Sequence, residues 1–139
     1  MAYVPDWLRE TVETRANGLC EYCQSAKLII TYMTVDHIRP EAQGGLTTED
    51  NLCLCCIGCN SFKRDFTTGI DPELGVEIPL YNPRSQNWDD HFKWSEDSSV
   101  ILPRTTTGEV TIQRLRMNRP DIIRSRQLWV SAGWHPPKR

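Results

Sequence analysis

"CEYCQSAKLIITYMTVDHIRPEAQGGLTTEDNLCLCCIGCNSFK", residues 20–63, opens on one C-x2-C pair and closes around a second. Cys20 with Cys23 and Cys56 with Cys59 provide four thiolates, enough to close a tetrahedral site for which zinc is the default ion. The 32 residues between the pairs exceed what a compact zinc ribbon uses. An insertion therefore lies between the knuckles, and it contains an Asp-His pair, Asp36 and His37, at the end of an apolar stretch. The spacing favours a structural ion fastening both ends of a functional hairpin. The register is open in one respect: Cys53 and Cys56 also make a C-x2-C pair, with Cys55 between them. Cys56 and Cys59 are preferred because residues 51–55 read as an apolar lead-in, where Cys53 and Cys55 act as small buried hydrophobes. A redox dithiol or an iron-thiolate site of rubredoxin type is the competing use, although a redox dithiol needs no second pair.

All six cysteines fall within the first 60 of 139 residues. In a reducing cytosol such clustering argues for metal ligation over disulfides. The N-terminal "MAYVPDWLRE" has neither the basic region nor the apolar core of a secretory signal, so a cytoplasmic location is expected. No apolar run approaches the ~18 residues of a membrane span, which excludes a membrane partner from the expectation. With 39% hydrophobic and 24% charged residues the composition is that of a globular domain. The net charge of −2 is unevenly spread. Residues 104–139 carry eight Lys/Arg against two Asp/Glu, whereas residues 1–103 carry eight against sixteen. Local charge, not net charge, decides phosphate binding, so the basic last third remains a candidate surface for nucleic acid.

Residues 5–17 predict a helix that ends at Gly18, with Trp7, Leu8 and Val12 on one face. "LIITYMTV" (28–35) reads as a strand, "RPEAQGGLTTED" as a loop, and "GCNSFKRDF" as one or two helical turns. Residues 67–84 are spaced by Gly and Pro and predict little regular structure. "HFKWS", "SVILPRT" and "EVTIQRLRM" carry strand signals, and "NRPDIIRSRQLWVSAG" predicts a last helix capped by Asn118. His91, in "WDDHF", and His135, in "GWHPP", lack a constellation comparable to that around His37 and are assigned structural or surface roles.

Taken together, "CEYC", "VDHIRPEAQGG" and "EDNLCLCCIGCNSFK" resemble the HNH endonuclease family, with the elements in the family's order over residues 20–63. The resemblance implies an α+β fold: an HNH ββα-metal core braced by a four-cysteine zinc site, followed by a small C-terminal antiparallel sheet and helix. It divides the chain into a nuclease core, residues 1–66, and a β-α accessory region, residues 67–139, packed as one compact unit. It further implies that Asp36 is the acidic ligand of a catalytic ion, His37 the general base, Asn51 the residue that orients the base, and Asn60 a second metal ligand. Asn60 stands where the family's name has a second histidine, which leaves the preferred ion open.

These residue types suit phosphodiester hydrolysis, which needs a nucleophile made from water and a cation to absorb charge at phosphorus. Free imidazole is largely neutral at pH 7 and can take a proton. A carboxylate and an amide oxygen are hard ligands suited to Mg²⁺ or Mn²⁺. Neighbouring strand residues face opposite ways, so a backbone irregularity is expected where Asp36 and His37 meet one site. Arg39, Lys63, Arg124 and Arg126 are the candidate contacts to nucleic acid, DNA above all. A zinc module that binds nucleic acid or protein without cutting it is the alternative. The joint presence of Asp36, His37, Asn51 and Asn60 weighs against that.

Overall fold

Pro5, extended at φ −64° and ψ 153°, leads into helix α1 (Asp6–Arg15), whose Leu8 and Val12 turn inward. Asn17 and Gly18 then take positive φ, 56° and 69°, and end the helical path at the glycine the sequence singles out. Leu8, Val12 and Ala16 pack against Val35, Leu52 and Leu54, forming the core beneath the hairpin. Each fully buried aliphatic side chain there contributes ~1.5–3 kcal/mol. The computed structural model describes residues 3–138, which divide into two units. The first unit runs to Thr67 and includes Asn82–Gln86; the second comprises Thr68–Tyr81 and the chain from Asn87 onward. A single cut after residue 66 does not provide for the return of Asn82–Gln86. In the first unit Arg84 of that segment pairs with Glu21 of the Cys20–Cys23 knuckle.

The first unit's hairpin joins β1 (Met33–His37) to β2 (Leu52–Cys56) antiparallel, from Met33 opposite Cys56 to His37 opposite Leu52. Helix α3 (Ile57–Lys63) follows β2 directly. The strand expected over 28–35 is shorter and later than its propensity suggests. Lys27–Ile30 form a helical turn, α2, closed by Thr31 at φ 65°. The reason lies in the partner: β2 ends at Cys56, where α3 begins, so residues before Met33 have no strand to pair with. All five β2 residues are buried, as their unbroken apolar run implies.

In the second unit, "TTGIDPELGVEIP" is not irregular but a hairpin, β3 (Thr68–Ile70) with β4 (Glu77–Pro79), turned by Gly75 at φ 69°. Helix α4 (Trp88–His91) precedes a second hairpin, β5 (Phe92–Trp94) with β6 (Ile101–Pro103), where strands are expected. "EVTIQRLRM" is corrected from strand to helix: it lies largely in α5 (Thr106–Leu115). Thr105 caps that helix by accepting from the Gly108 amide at 3.1 Å, and Val110, Thr111 and Leu115 form its buried face. A cap plus tertiary burial outweighs the β-branched propensity. The last helix, α6 (Pro120–Ser131), forms as predicted, but Asn118 does not cap it. Its amide instead exchanges hydrogen bonds with the backbone of Ile101, 2.8 and 2.7 Å.

Arg126, expected at a nucleic-acid surface, is fully buried in α6. Its guanidinium donates to Ser99 O, Met117 O and Asn118 Oδ1 and lies over the Trp94 ring. A side chain so engaged holds the second unit together and does not reach a phosphate. No helix among the described residues is long and apolar enough to cross a membrane.

Candidate active site and thiolate centre

The knuckle after α1 and the first turn of α3 bring Cys20, Cys23, Cys56 and Cys59 together, with all four sulfurs within 4.8 Å of one another and all four residues buried. Each pair folds as a knuckle in which the later amide points at the earlier sulfur: Cys23 N to Cys20 Sγ 3.5 Å, and Cys59 N to Cys56 Sγ 3.4 Å. Gln24 at φ 68° turns the chain away after the first pair. Cys23 and Cys56 sulfurs stand 3.6 Å apart, close to the ~3.8 Å that tetrahedral Zn–S bonds of ~2.3 Å require. Hydrogen bonds from the thiols of Cys20, Cys56 and Cys59 pull the Cys23 thiol well below its ordinary pKa, favouring one thiolate in the group. The donor set fits zinc. The open register thereby settles on Cys56 with Cys59; Cys53 and Cys55 are buried outside the group, and burial pushes the Cys53 thiol up.

Asp36, His37, Asn60, Arg64 and Asp65 border one cleft of about 310 Å³, together with the loop that carries Glu41. The expected strand irregularity is absent: Asp36 opposite Cys53 and His37 opposite Leu52 stay in register. Both residues nevertheless line the cleft, together with Pro40, Glu41 and Ala42 of the segment that follows the strand.

Lys63 is 1% exposed, and its ammonium lies 3.1 Å from Asp36 Oδ2. It also reaches the carbonyls of His37 and Ile38, both at 3.4 Å. A side chain placed this way is an internal counter-charge, which corrects its assignment as a surface contact to nucleic acid. Burial raises the Asp36 pKa above the usual carboxylate value, opposed mainly by the Lys63 charge. Asp36 Oδ2 is buried and is matched by that ammonium. The hard donor types of Asp36 and Asn60 fit a divalent ion.

The imidazole of His37 is held by Thr47, whose Oγ1 is 2.9 Å from Nε2, with Glu41 Oε1 4.0 Å away. Asn51, expected to hold the imidazole, instead holds the loop. Its Oδ1 accepts from Arg39 N at 2.9 Å, and its Nδ2 donates to Arg39 O and Leu46 O at 3.0 and 2.8 Å. Gly45 makes this closure possible: a Cβ there would stand 1.8 Å from Arg39 O and 2.9 Å from Asn51 Nδ2. Asn51 thus fixes the path that delivers Thr47 to His37. Arg39 is exposed and donates from Nε to Gln43 O at 2.8 Å; Arg124 is exposed on α6 of the second unit.

Thr47, Gly45 and Arg64 are the site residues that sequence reasoning passes over. Only Gly45 carried a signal, as half of a glycine pair. Thr47 is one threonine of two, and nothing local distinguishes Arg64 from its basic neighbour.

Residues 20–66 match the family model described as HNH endonuclease, a span that contains both the thiolate centre and the cleft. Among curated proteins, Septu protein PtuB of Bacillus mycoides (strain KBAB4) is 23% identical over 151 aligned positions, which cover 90% of this chain and 51% of that protein. The chain therefore spans about half the length of this relative. No solved structure matches significantly.

Proposed function

We propose that this chain, with an HNH domain of nuclease type over residues 20–66, is a metal-dependent endonuclease that hydrolyses phosphodiester bonds, with DNA as the substrate. One observation carries the reading. A carboxylate, an imidazole and an amide, those of Asp36, His37 and Asn60 from two separate elements, belong to residues that border one cleft.

In this reading Asp36 and Asn60 hold Mg²⁺ or Mn²⁺. The ion, when bound, supplies charge stabilisation at phosphorus and at the departing oxygen. His37 takes the proton from the attacking water. Thr47 fixes the ring through its 2.9 Å contact to Nε2, and Asn51 with Gly45 fixes Thr47 by closing the loop. The zinc at the four cysteines has no part in the chemistry; it ties the start of α3, and so Asn60, to the hairpin. No disulfide joins any of the six cysteines, which leaves the four of the cluster available to the ion.

The Asp36–Lys63 pair supports a second reading. A carboxylate already matched by a buried ammonium needs no ion, as in a zinc module that binds nucleic acid without cutting it. Purified protein incubated with plasmid and oligonucleotides, with and without Mg²⁺ or Mn²⁺ and beside His37→Ala, separates the two. Divalent-dependent cleavage lost in His37→Ala is the expected result; binding without cleavage under any divalent ion selects the second reading.

A further inference from the structure

We propose that Arg64 is the phosphate-binding cation of the cleft, the side chain that draws a phosphodiester toward Asp36 and His37. The inference rests on the nuclease reading for its substrate but on separate observations for its residue.

The first observation is charge. Asp36, Glu41 and Asp65 all border the cleft, and three carboxylates repel a phosphodiester. Lys63 offsets Asp36 from inside and is too buried to meet a ligand. Arg64 also borders the cleft, is exposed, and its side chain makes no hydrogen bond or ion pair among the described residues. The neighbouring cation Arg39 already donates its Nε to Gln43 O. Arg64 is therefore a cleft-lining guanidinium with its donor fork unspent, the geometry that grips phosphate oxygens two at a time.

The second observation is the backbone. Arg64 follows α3 at φ 51° and ψ −132°. Its amide still bonds Asn60 O at 3.1 Å, and Phe66 N closes a turn onto Lys63 O at 3.0 Å. Residues 63–66 thus form a type II′ turn with Arg64 at the first central position, which glycine occupies without strain and an L side chain does not. Backbone strain of this kind persists where the side chain is used. Here the strain holds the Arg64 side chain at the rim of the cleft, one residue beyond the helix that supplies Asn60.

The test separates side chain from backbone. In a His37→Ala background, which removes cleavage, the affinity of a short fluorescent duplex is measured against salt for Arg64, Arg64→Ala, Arg64→Gly and Arg64→Lys, together with melting temperatures. Alanine and glycine should each weaken binding by ~10-fold or more and reduce the salt slope by about one phosphate contact. Lysine, with charge but no fork, should fall between. Arg64→Gly should melt above Arg64→Ala, because the two lack the same contacts and differ in the freedom to adopt positive φ. Unchanged affinity and slope in Arg64→Ala, absence of duplex binding by the Arg64 protein, or Arg64→Gly melting below Arg64→Ala each overturns the proposal. The two readings fail separately. Duplex binding that depends on Arg64 in a protein whose wild type never cleaves sinks the nuclease and leaves Arg64 standing; wild-type cleavage that Arg64→Ala reproduces in full does the reverse.

Discussion

Lys63 Nζ stands 3.1 Å from Asp36 Oδ2, with the lysine 1% and the aspartate 11% exposed at their side chains. The pair links the last residue of α3 to the end of β1, and the same ammonium reaches the carbonyls of His37 and Ile38. Removing one partner of a buried pair costs ~3–5 kcal/mol because the other charge is left without compensation. Lys63→Met should therefore destabilise the protein by about that much, and Lys63→Met with Asp36→Asn should regain most of the loss. Chemical denaturation of the three proteins checks this.

The same pair sets a pH dependence. Burial raises the Asp36 pKa above 3.8, the ordinary value, against the pull of Lys63. A carboxyl with a raised folded pKa contributes stability that is complete below its unfolded pKa and is lost as pH rises through the folded one. The ion-free protein should accordingly lose stability as pH climbs through and above the carboxylate range, more steeply in Lys63→Met. Added Mn²⁺ should flatten the slope in wild type if Asp36 is a ligand.

Gly45→Ala and Asn51→Ala attack the loop from opposite sides. A methyl at 45 would meet Arg39 O at 1.8 Å, so the loop must open; Asn51→Ala removes three hydrogen bonds that hold it shut. Both should lower cleavage by at least ~10-fold through displacement of Thr47 from His37, while zinc content stays at the wild-type level. Normal cleavage by Gly45→Ala would show that loop closure does not position the base.

Chelation should act on one unit. Structural zinc contributes on the order of 10 kcal/mol of folding free energy, and all four sulfurs belong to the first unit. Hydrogen exchange after zinc removal should lose protection in β1, β2 and α3 but keep it in α5 and α6. Cys20→Ser should reproduce the effect, whereas Cys53→Ala and Cys55→Ala should retain about one zinc per chain.

Arg124 and Arg126 look interchangeable in sequence and are opposites in the structure. Arg126→Ala strips three hydrogen-bonded acceptors of a buried cation and should cost ~2–4 kcal/mol. Arg124→Ala, at an exposed position, should stay within ~0.5 kcal/mol. Thermal melts of the single variants decide this, and a joint substitution is no clean probe of DNA affinity.

What could be read in advance follows the range of the interactions. The cysteine knuckles, α1 and α6 are written locally, in spacing, periodicity and glycine stops, and they appear where the sequence puts them. α5 was hidden because its β-branched residues mimic a strand, and only Thr105 as a cap betrays it. The lateness of β1 reflects the end of β2 at Cys56, the residue opposite Met33 and 23 positions away along the chain. Asp36, His37 and Asn60 are legible as a set, but Lys63 becomes internal and Arg64 external only through a one-residue turn at the end of α3. That choice is made by packing, which no local pattern encodes.

His37 lies at the centre of the proposed chemistry, and its variants divide the mechanism most cleanly. His37→Ala removes the group that accepts the water's proton, a loss that typically costs ~10² to 10⁴ in rate. DNA binding and zinc content should survive, because the four thiolates and Arg64 are untouched. Thr47→Val keeps the imidazole but removes the hydroxyl 2.9 Å from Nε2, so it should give a smaller loss, ~10-fold, by loosening the ring. Asp36→Ala should abolish cleavage by a different route, through weaker ion binding, and excess Mn²⁺ should restore part of that rate. The same Mn²⁺ should do nothing for His37→Ala, which holds its ion but lacks its base. Single-turnover cleavage across a Mn²⁺ titration reads all three variants at once, and a His37→Ala rate equal to wild type would remove the imidazole from the mechanism.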